Sequence, residues 1–408
     1  MFAAAISLFA LVCLWPEASG AHATAPQSRA ATRVAESRAK LAKKPRLWPV
    51  QAALAQACLV EARATLDPAA VACARNAALA SLDVQLNVEA FLALAGIQAF
   101  SHRFEACVEA AAKAESGRPE DGAALSLRVD CLLALGRRDE AGALIETARV
   151  GTRDQGPPSS LDFYLPIAEA SLAKADGRID AAVERYRAAA AMAARAASAP
   201  AIVQGQEKKP APATEPAPKK SEADHGHPLP PIRHEPLPAE DANELRIWAL
   251  VEAVSLLQEA GRIAEAADIL GEARANESPN LLIQVHQAQL MATTENHDFA
   301  FNAFRGLASQ GVGVEAWLGA WRQARKIGKA DEEARYWDLL ERTLRAPLDA
   351  GEIYTLDMLA SLYLEAGVKG DEALALAERN ATVRKDEAAR VLLEKARAHA
   401  AASAPAKP

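Results

Sequence analysis

The chain has 408 residues, half of them hydrophobic but only 5% aromatic, and a formal net charge of -7. Alanine supplies roughly a quarter of it, and small apolar side chains mixed with Leu, Glu and Arg favour close-packed helices over sheets. The acidic balance excludes general nucleic-acid binding, which needs a basic domain or stripe, and no apolar run is long enough to span a bilayer.

Taken in chain order, FAAAISLFALVCLW at residues 2–15 is short for a membrane span but suits the core of a secretory signal. Ala21-His22-Ala23 follows as a small-x-small site, so a signal peptide over residues 1–23 and export are expected, although no Lys or Arg precedes the apolar run. Cys13 follows Leu11-Val12 rather than a small residue, which argues against a lipid anchor. An organelle transit peptide is the competing reading, because residues 28–46 are basic and nearly free of acids. Residues 24–48 read as a basic disordered extension in which Arg29, Arg33, Arg38, Lys40, Lys43, Lys44 and Arg46 face a single acid, Glu36. Such a run is a solvated tail, or a weak electrostatic contact for an anionic envelope surface.

A helical hairpin broken at Asp67-Pro68 comes next, with Pro at a helix start, as either a degenerate repeat or an N-terminal cap. Cys58, Cys73, Cys107 and Cys131 allow three pairings. Sequence neighbours fall on successive predicted helices, so Cys58 with Cys73 and Cys107 with Cys131 is the first expectation. Four small buried thiols are the alternative. No CxxC occurs, so no zinc or redox centre is expected.

One phrase then recurs: GRRDEA at residues 136–141, GRIDAA at 177–182 and GRIAEA at 261–266. The residues that close the first helix of each candidate pair are Ser101, Gly136, Gly177, Gly261, Glu295, Lys329 and Gly367, in steps of 35, 41, 84, 34, 34 and 38. These cluster near a period of about 34 residues. The longer steps contain inserted loops at 151–160 and 346–352 and a long tract at 201–241. Glycine in the left-handed region ends the first helix, and Asp139 or Asp180 suits the positive start of the second. Ala141, Ala182, Ala266, Ala300 and Ala373 let the second helix lie close, while Ile145, Tyr186, Leu270 and Phe304, four residues on, fill the space between the pair.

These segments resemble tetratricopeptide repeats (TPR). The resemblance is clearest in LLALGRRDEAGALIETA at 132–148, SLLQEAGRIAEAADILGEA at 255–273 and SLYLEAGVKGDEALALAERN at 361–380, and it extends roughly from residue 85 to residue 395 outside the 201–241 tract. It implies an all-α, helical-hairpin repeat solenoid, a TPR-like superhelix of about seven units whose first helices line a concave groove. Residues 49–200 form an N-terminal lobe and residues 242–398 a C-terminal lobe. The Pro-, Lys- and Glu-rich tract 201–241 reads as a disordered linker, and 399–408 as a disordered tail. Carried over repeat by repeat, the family's groove positions fall on Trp248, Ser255, Gln258, Gln289, Arg322, Arg325, Lys326 and Tyr354. Arg322, Arg325 and Lys326 then make a positive patch suited to a carboxylate or acidic peptide. Trp317, Trp321 and Trp337 are expected in the core, and core packing is the alternative for Trp248 as well.

No phosphate loop, strand-linked GxGxxG, HExxH or GxSxG is present. His225, His227 and His234 are of ligand type, but they lie in a proline-rich stretch without preformed geometry, so neither metal nor cofactor is expected. Residues 228–238 read as plain linker or as a polyproline recognition segment. The expected function is a non-enzymatic scaffold in an extracytoplasmic envelope assembly, binding peptide or helical segments of partner proteins in the groove. A glycan or small-ligand binding module is the alternative, with an enzyme third.

Overall fold

The computed structural model describes residues 26–151, 159–198, 239–274 and 280–403. The expected signal segment with Cys13, the loop around 152–158, the tract 199–238 with its three histidines, and the last five residues lie outside them. The described residues form eighteen helices and no strand. After α1 (Pro26–Lys43) come eight hairpins: α2 (Trp48–Thr65) with α3 (Pro68–Val84), α4 (Val88–Phe100) with α5 (Phe104–Gly117), α6 (Gly122–Ala134) with α7 (Arg138–Gly151), and α8 (Ser160–Ala175) with α9 (Ile179–Ser198). The second four are α10 (Ala239–Glu259) with α11 (Ile263–Arg274), α12 (Leu281–Thr293) with α13 (His297–Ser309), α14 (Val314–Lys326) with α15 (Ala330–Asp349), and α16 (Leu356–Ala366) with α17 (Gly370–Val383). A last helix, α18 (Glu387–Ser403), closes the array.

Most first helices end in the same way, for a local reason. Gly136, Gly177, Gly261, Gly328 and Gly367 all have φ between 72 and 74°, a region that costs glycine nothing. The N–H of the following residue then reaches the carbonyl five positions back, as in Arg137 to Leu132, Arg178 to Ala173 and Arg262 to Leu257, each at 2.8 Å. These are Schellman caps, which satisfy carbonyls that the helix end leaves open. The cap residue is Gly328 rather than Lys329, and His102 (φ 55°) rather than Ser101. At Glu295 the pattern lapses, because α12 ends on extended Thr294 and α13 is capped by Asn296.

Three expected irregular segments are helical at least in part. Residues 26–43 of the expected extension form α1, because Val34 and Leu41, seven residues apart, give it one apolar stripe that packs on the core. The expected loop at Ala346 is the last turn of α15 as far as Asp349. The expected tail is helical through Ser403.

Close packing between paired helices follows from the small residues. Ala141, Ala182, Ala266, Ala300 and Ala373 are each fully buried, and Ile145, Tyr186, Leu270 and Phe304 fill the adjoining space. At one junction even alanine is too large: a Cβ on Gly319 of α14 would come within 2.4 Å of the Phe304 ring on α13. Near the start of the array, disulfides Cys58–Cys73 and Cys107–Cys131 join α2 to α3 and α5 to α6, with Cα separations of 5.9 and 6.3 Å. The second of these spans two hairpins rather than staying within one.

The lobes share a core. Phe163, Ile167 and Tyr186 from α8 and α9 are buried in one cluster with Leu245, Trp248, Leu250 and Ile269 from α10 and α11. The 199–238 tract is thus inserted at an ordinary joint between neighbouring hairpins.

The array also meets itself end to end. The turns inside the first three hairpins, at Leu66, His102 and Gly136, are contacted by the C-terminal part of the array. Tyr354, fully buried, donates its hydroxyl to the Leu66 carbonyl at 2.9 Å and stacks on Phe100. The Lys385 N–H donates to the Ala134 carbonyl at 2.7 Å, and a Cβ on Gly136 would lie 3.2 Å from that of Lys385. Between them Arg384, 2% exposed, pairs with Asp357 at 2.8 Å and Asp386 at 2.6 Å. Burial holds the neighbouring His102 imidazole down to about 4, so it is neutral beside the guanidinium at physiological pH.

Two stability predictions follow from this packing. Asp357→Asn leaves a buried guanidinium short of charge and should cost about 3 kcal/mol in urea unfolding; a change below about 0.5 kcal/mol would show that the seam is not stabilising. Gly319→Ala should cost about 1–3 kcal/mol through overpacking against Phe304. Gly306→Ala, mid-helix with nothing within 4 Å of the added Cβ, should instead stabilise by about 0.5–1 kcal/mol. Equal effects at the two glycines in the same assay would contradict the packing at Phe304.

Candidate functional site

The repeat register relates one position on the first helix of a hairpin to the matching position on the next. Six residues before the cap glycines of α6, α8, α10, α14 and α16 stand Asp130, Ser171, Ser255, Arg322 and Ser361. All but Ser171 are half-buried, and Ser171 is 8% exposed. On the same helices lie Lys174, Glu252, Gln258, Glu259 and Glu315, and on α12 lie His286 and Gln289.

Electrostatics link some of them. Ser171 hydrogen-bonds Asp130, and Lys174 also favours its charge, yet burial outweighs both and holds the Asp130 carboxyl up at about 7. Glu252, 1% exposed, is pushed up to about 8, first by burial and then by Glu259, Asp130 and Glu315, with Lys174 opposing. The Glu315 carboxyl is also raised by its protein surroundings, although its side chain reaches solvent. Tyr186, behind Ser171, is raised by burial and by Glu252 and Asp130. Burial lowers His286 to about 4. Helices from four hairpins, α6, α8, α10 and α14, thus carry groups that influence one another across the candidate lumen.

Several polar atoms in the lumen have no hydrogen-bond partner although they are hidden from water: Asp130 Oδ2, Glu252 Oε1 and Gln258 Nε2. Gln258 Oε1 accepts from His286 Nδ1 at 3.2 Å, which fixes that imidazole's proton on Nδ1. The site therefore offers two unsatisfied acceptors and one unsatisfied donor.

Of the expected groove residues, Ser255 and Gln258 on α10 and Gln289 on α12 are half-buried. Ser255 returns its hydroxyl to the Val251 carbonyl at 3.1 Å, and Gln289 is half-buried one turn from His286. Trp248 and Tyr354 are corrected to core residues. Trp248, 3% exposed, meets Tyr186 edge-on in the core shared by the lobes, and Tyr354 belongs to the seam. The expected positive patch is also corrected. Arg322 is held by both oxygens of Glu365 at 2.7 Å, and Arg325 donates to the Glu365 carbonyl at 3.2 Å, lies 3.8 Å from Glu333 and sits over Trp321. Lys326 is exposed at the end of α14. Arg322 and Arg325 thus link α14 to α16 and α15. Trp321 is buried and Trp337 packs against it, as expected.

Sequence reasoning missed Asp130, Ser171, Glu252 and Glu315. The register that selected Ser255 and Arg322 passes through Asp130 and Ser171 as well, so the signal was present in the N-terminal lobe. Glu252 reads as an ordinary helix acid until its burial is known. Among the described residues no group of three His, Cys, Asp or Glu side chains could hold a metal ion, and no helix is long and apolar enough to cross a membrane. A separate shallow hollow of about 460 Å³ between α1, α2 and α3, lined by Arg38, Leu41, Leu54, Cys73 and Asn76 among others, contains none of the lumen residues.

The sequence matches no family model and no curated protein. Among solved structures it is similar to a tetratricopeptide repeat protein from Parabacteroides merdae, at 12% identity over 72% of this chain and 92% of that one with a TM-score of 0.43. Yeast Tom70 is similar at 13% identity over 86% and 72% with a TM-score of 0.41, and the TPR domain of P58(IPK) at 16% identity over 86% and 99% with a TM-score of 0.22. The helical-hairpin solenoid stands on the chain's own turns and packing.

Proposed function

We propose that this protein is a non-enzymatic scaffold that binds an extended or helical segment of a partner protein in its lumen. The observation that carries the reading is the spread of lumen-facing polar side chains over successive first helices, from Asp130 on α6 through Ser255 on α10 to Ser361 on α16. A ligand pocket or active site gathers such groups at one closed spot, whereas a peptide groove distributes them along a path. A preformed solenoid loses little entropy when an extended segment enters it.

The proposed setting is outside the cytoplasm, in an envelope assembly. Two formed disulfides support this, since such bonds persist in oxidising compartments. So do the apolar run at residues 2–15 and the small-x-small site ending at Ala23. On this reading the mature chain begins at Thr24. Arg38, Lys40 and Lys43 on α1 and Lys44 just after it are exposed, and any contact with an anionic surface through them weakens with salt.

Cross-linked capture from a native extract tests the scaffold reading. The full chain should retain a discrete protein, and Ser255→Trp with Gln289→Trp, which fill the lumen, should reduce its recovery tenfold or more while Phe299→Ala on the outer surface leaves it intact. Recovery that is indifferent to the lumen substitutions sinks the reading. N-terminal sequencing of the mature chain checks the export proposal, with Thr24 expected; a retained residue 1 from a cytoplasmic fraction overturns it.

A further inference from the structure

The hollow between α1, α2 and α3 opens onto a disulfide. Cys73 lines it, with Ala77 one turn further along α3, and Leu41 of α1 and Leu54 of α2 supply apolar walls around a volume of about 460 Å³. The bonded partner is shut away, since Cys58 is fully buried while Cys73 is half-buried. Cys107 and Cys131, at 0 and 1% exposure, are both out of reach. Of the four disulfide sulfurs, that of Cys73 is therefore the one a reagent in solvent can approach.

Two polar groups share this hollow. The Arg38 guanidinium on α1 lies 3.7 Å from Cys73 Sγ and, among the described residues, has no carboxylate partner. Gln51 at the start of α2 is 8% exposed; its Nε2 donates to the Pro45 carbonyl at 2.9 Å, while its Oε1 is hidden and accepts no hydrogen bond. A buried acceptor without a donor is costly. The hollow thus presents a reachable sulfur, a cation beside it and an acceptor short of an N–H, on otherwise apolar walls.

We propose that Cys58–Cys73 is a thiol-exchange site whose co-reactant is a small peptide thiol carrying a carboxylate. The thiolate of that molecule attacks Cys73 Sγ, and the bond to Cys58 Sγ breaks. Cys58 leaves and takes up a proton, because a thiolate is disfavoured in its fully buried position. A second thiol then attacks the small molecule's sulfur in the mixed disulfide, and Cys73 departs as a thiolate beside Arg38. Two small thiols have then become one disulfide, and their two electrons have reduced the protein's pair. In the reverse direction the small disulfide closes Cys58–Cys73 again. Arg38 favours the carboxylate of the incoming molecule and negative charge on sulfur at both steps, an attraction that salt screens. Gln51 Oε1 accepts an amide N–H of the peptide thiol. The hairpin stapled by this bond carries the Leu66 turn that holds the Tyr354 hydroxyl, so exchange acts on an anchor of the end-to-end contact. Cys107–Cys131 is a fixed staple by comparison.

The test uses the full chain without air at about pH 8, with glutathione, 2-mercaptoethanol and cysteamine as anionic, neutral and cationic thiols. Samples are quenched in acid, free thiols are mapped by mass spectrometry, and rates are compared per thiolate. Glutathione should open Cys58–Cys73 about tenfold faster than cysteamine, with its adduct on Cys73, while Cys107–Cys131 stays closed. Arg38→Gln, or salt at about 1 M, should cut that preference threefold or more, and Arg38→Lys should retain it. An adduct on Cys58, opening of Cys107–Cys131 at a comparable rate, or no opening without denaturant overturns the site. Equal rates with all three thiols, or a preference untouched by both Arg38→Gln and salt, overturns the anionic co-reactant. The scaffold reading is judged separately, by protein capture, and stands or falls independently of this result.

Discussion

The contact of the C-terminal part of the array with the turns inside the first three hairpins sets the geometry on which everything else depends. A stack of helical hairpins fixes only the relation of each pair to its neighbours, and small differences in rotation accumulate into a wide range of superhelical pitch. Here Tyr354 at Leu66, Arg384 beside His102 and Lys385 at Gly136 lock the last hairpins against the first. The relation of the last hairpins to the first is therefore fixed by direct contact rather than by the accumulated rotation of the hairpins between them.

Two buried charges show the difference between structure and function in this protein. Arg384 is surrounded by Asp357 and Asp386, with His102 held neutral beside it, so the cost of desolvating the guanidinium is met within the fold. Glu252 is as deeply buried but has unfavourable carboxylate neighbours and an open acceptor, so it keeps its proton. Packing explains the first arrangement completely. The second is met instead by retention of the proton, which removes the buried charge.

Insertions and staples fall where the architecture permits them. The 199–238 tract leaves the array at the α9–α10 joint and α10 still packs as the next hairpin, because a connection between hairpins lies outside the shared core. The N-terminal hairpins bury much alanine and few large side chains, and cross-links over 15 and 24 residues reinforce them by restricting the unfolded chain. The C-terminal hairpins instead bury Trp321, Tyr336, Tyr354 and Tyr363, and carry no such cross-link among the described residues.

What the sequence determined by itself is local. Gly136, Gly177, Gly261 and Gly367 end helices because only glycine enters the left-handed region without penalty, and Ala141 or Ala300 lies buried because a neighbouring helix passes within reach a few residues away. The cysteine pairs were legible for the same reason, joining helices close in the chain. The same neighbour logic misjudged Trp248, Tyr354 and Arg322. The groove pattern says which helix face a residue occupies, but not whether a partner 43 residues on, such as Glu365, neutralises it, or whether a turn 288 residues away, such as Leu66, buries it. Only the tertiary structure decided those contacts, because superhelical closure depends on distant segments meeting and no repeat encodes where the array will touch itself.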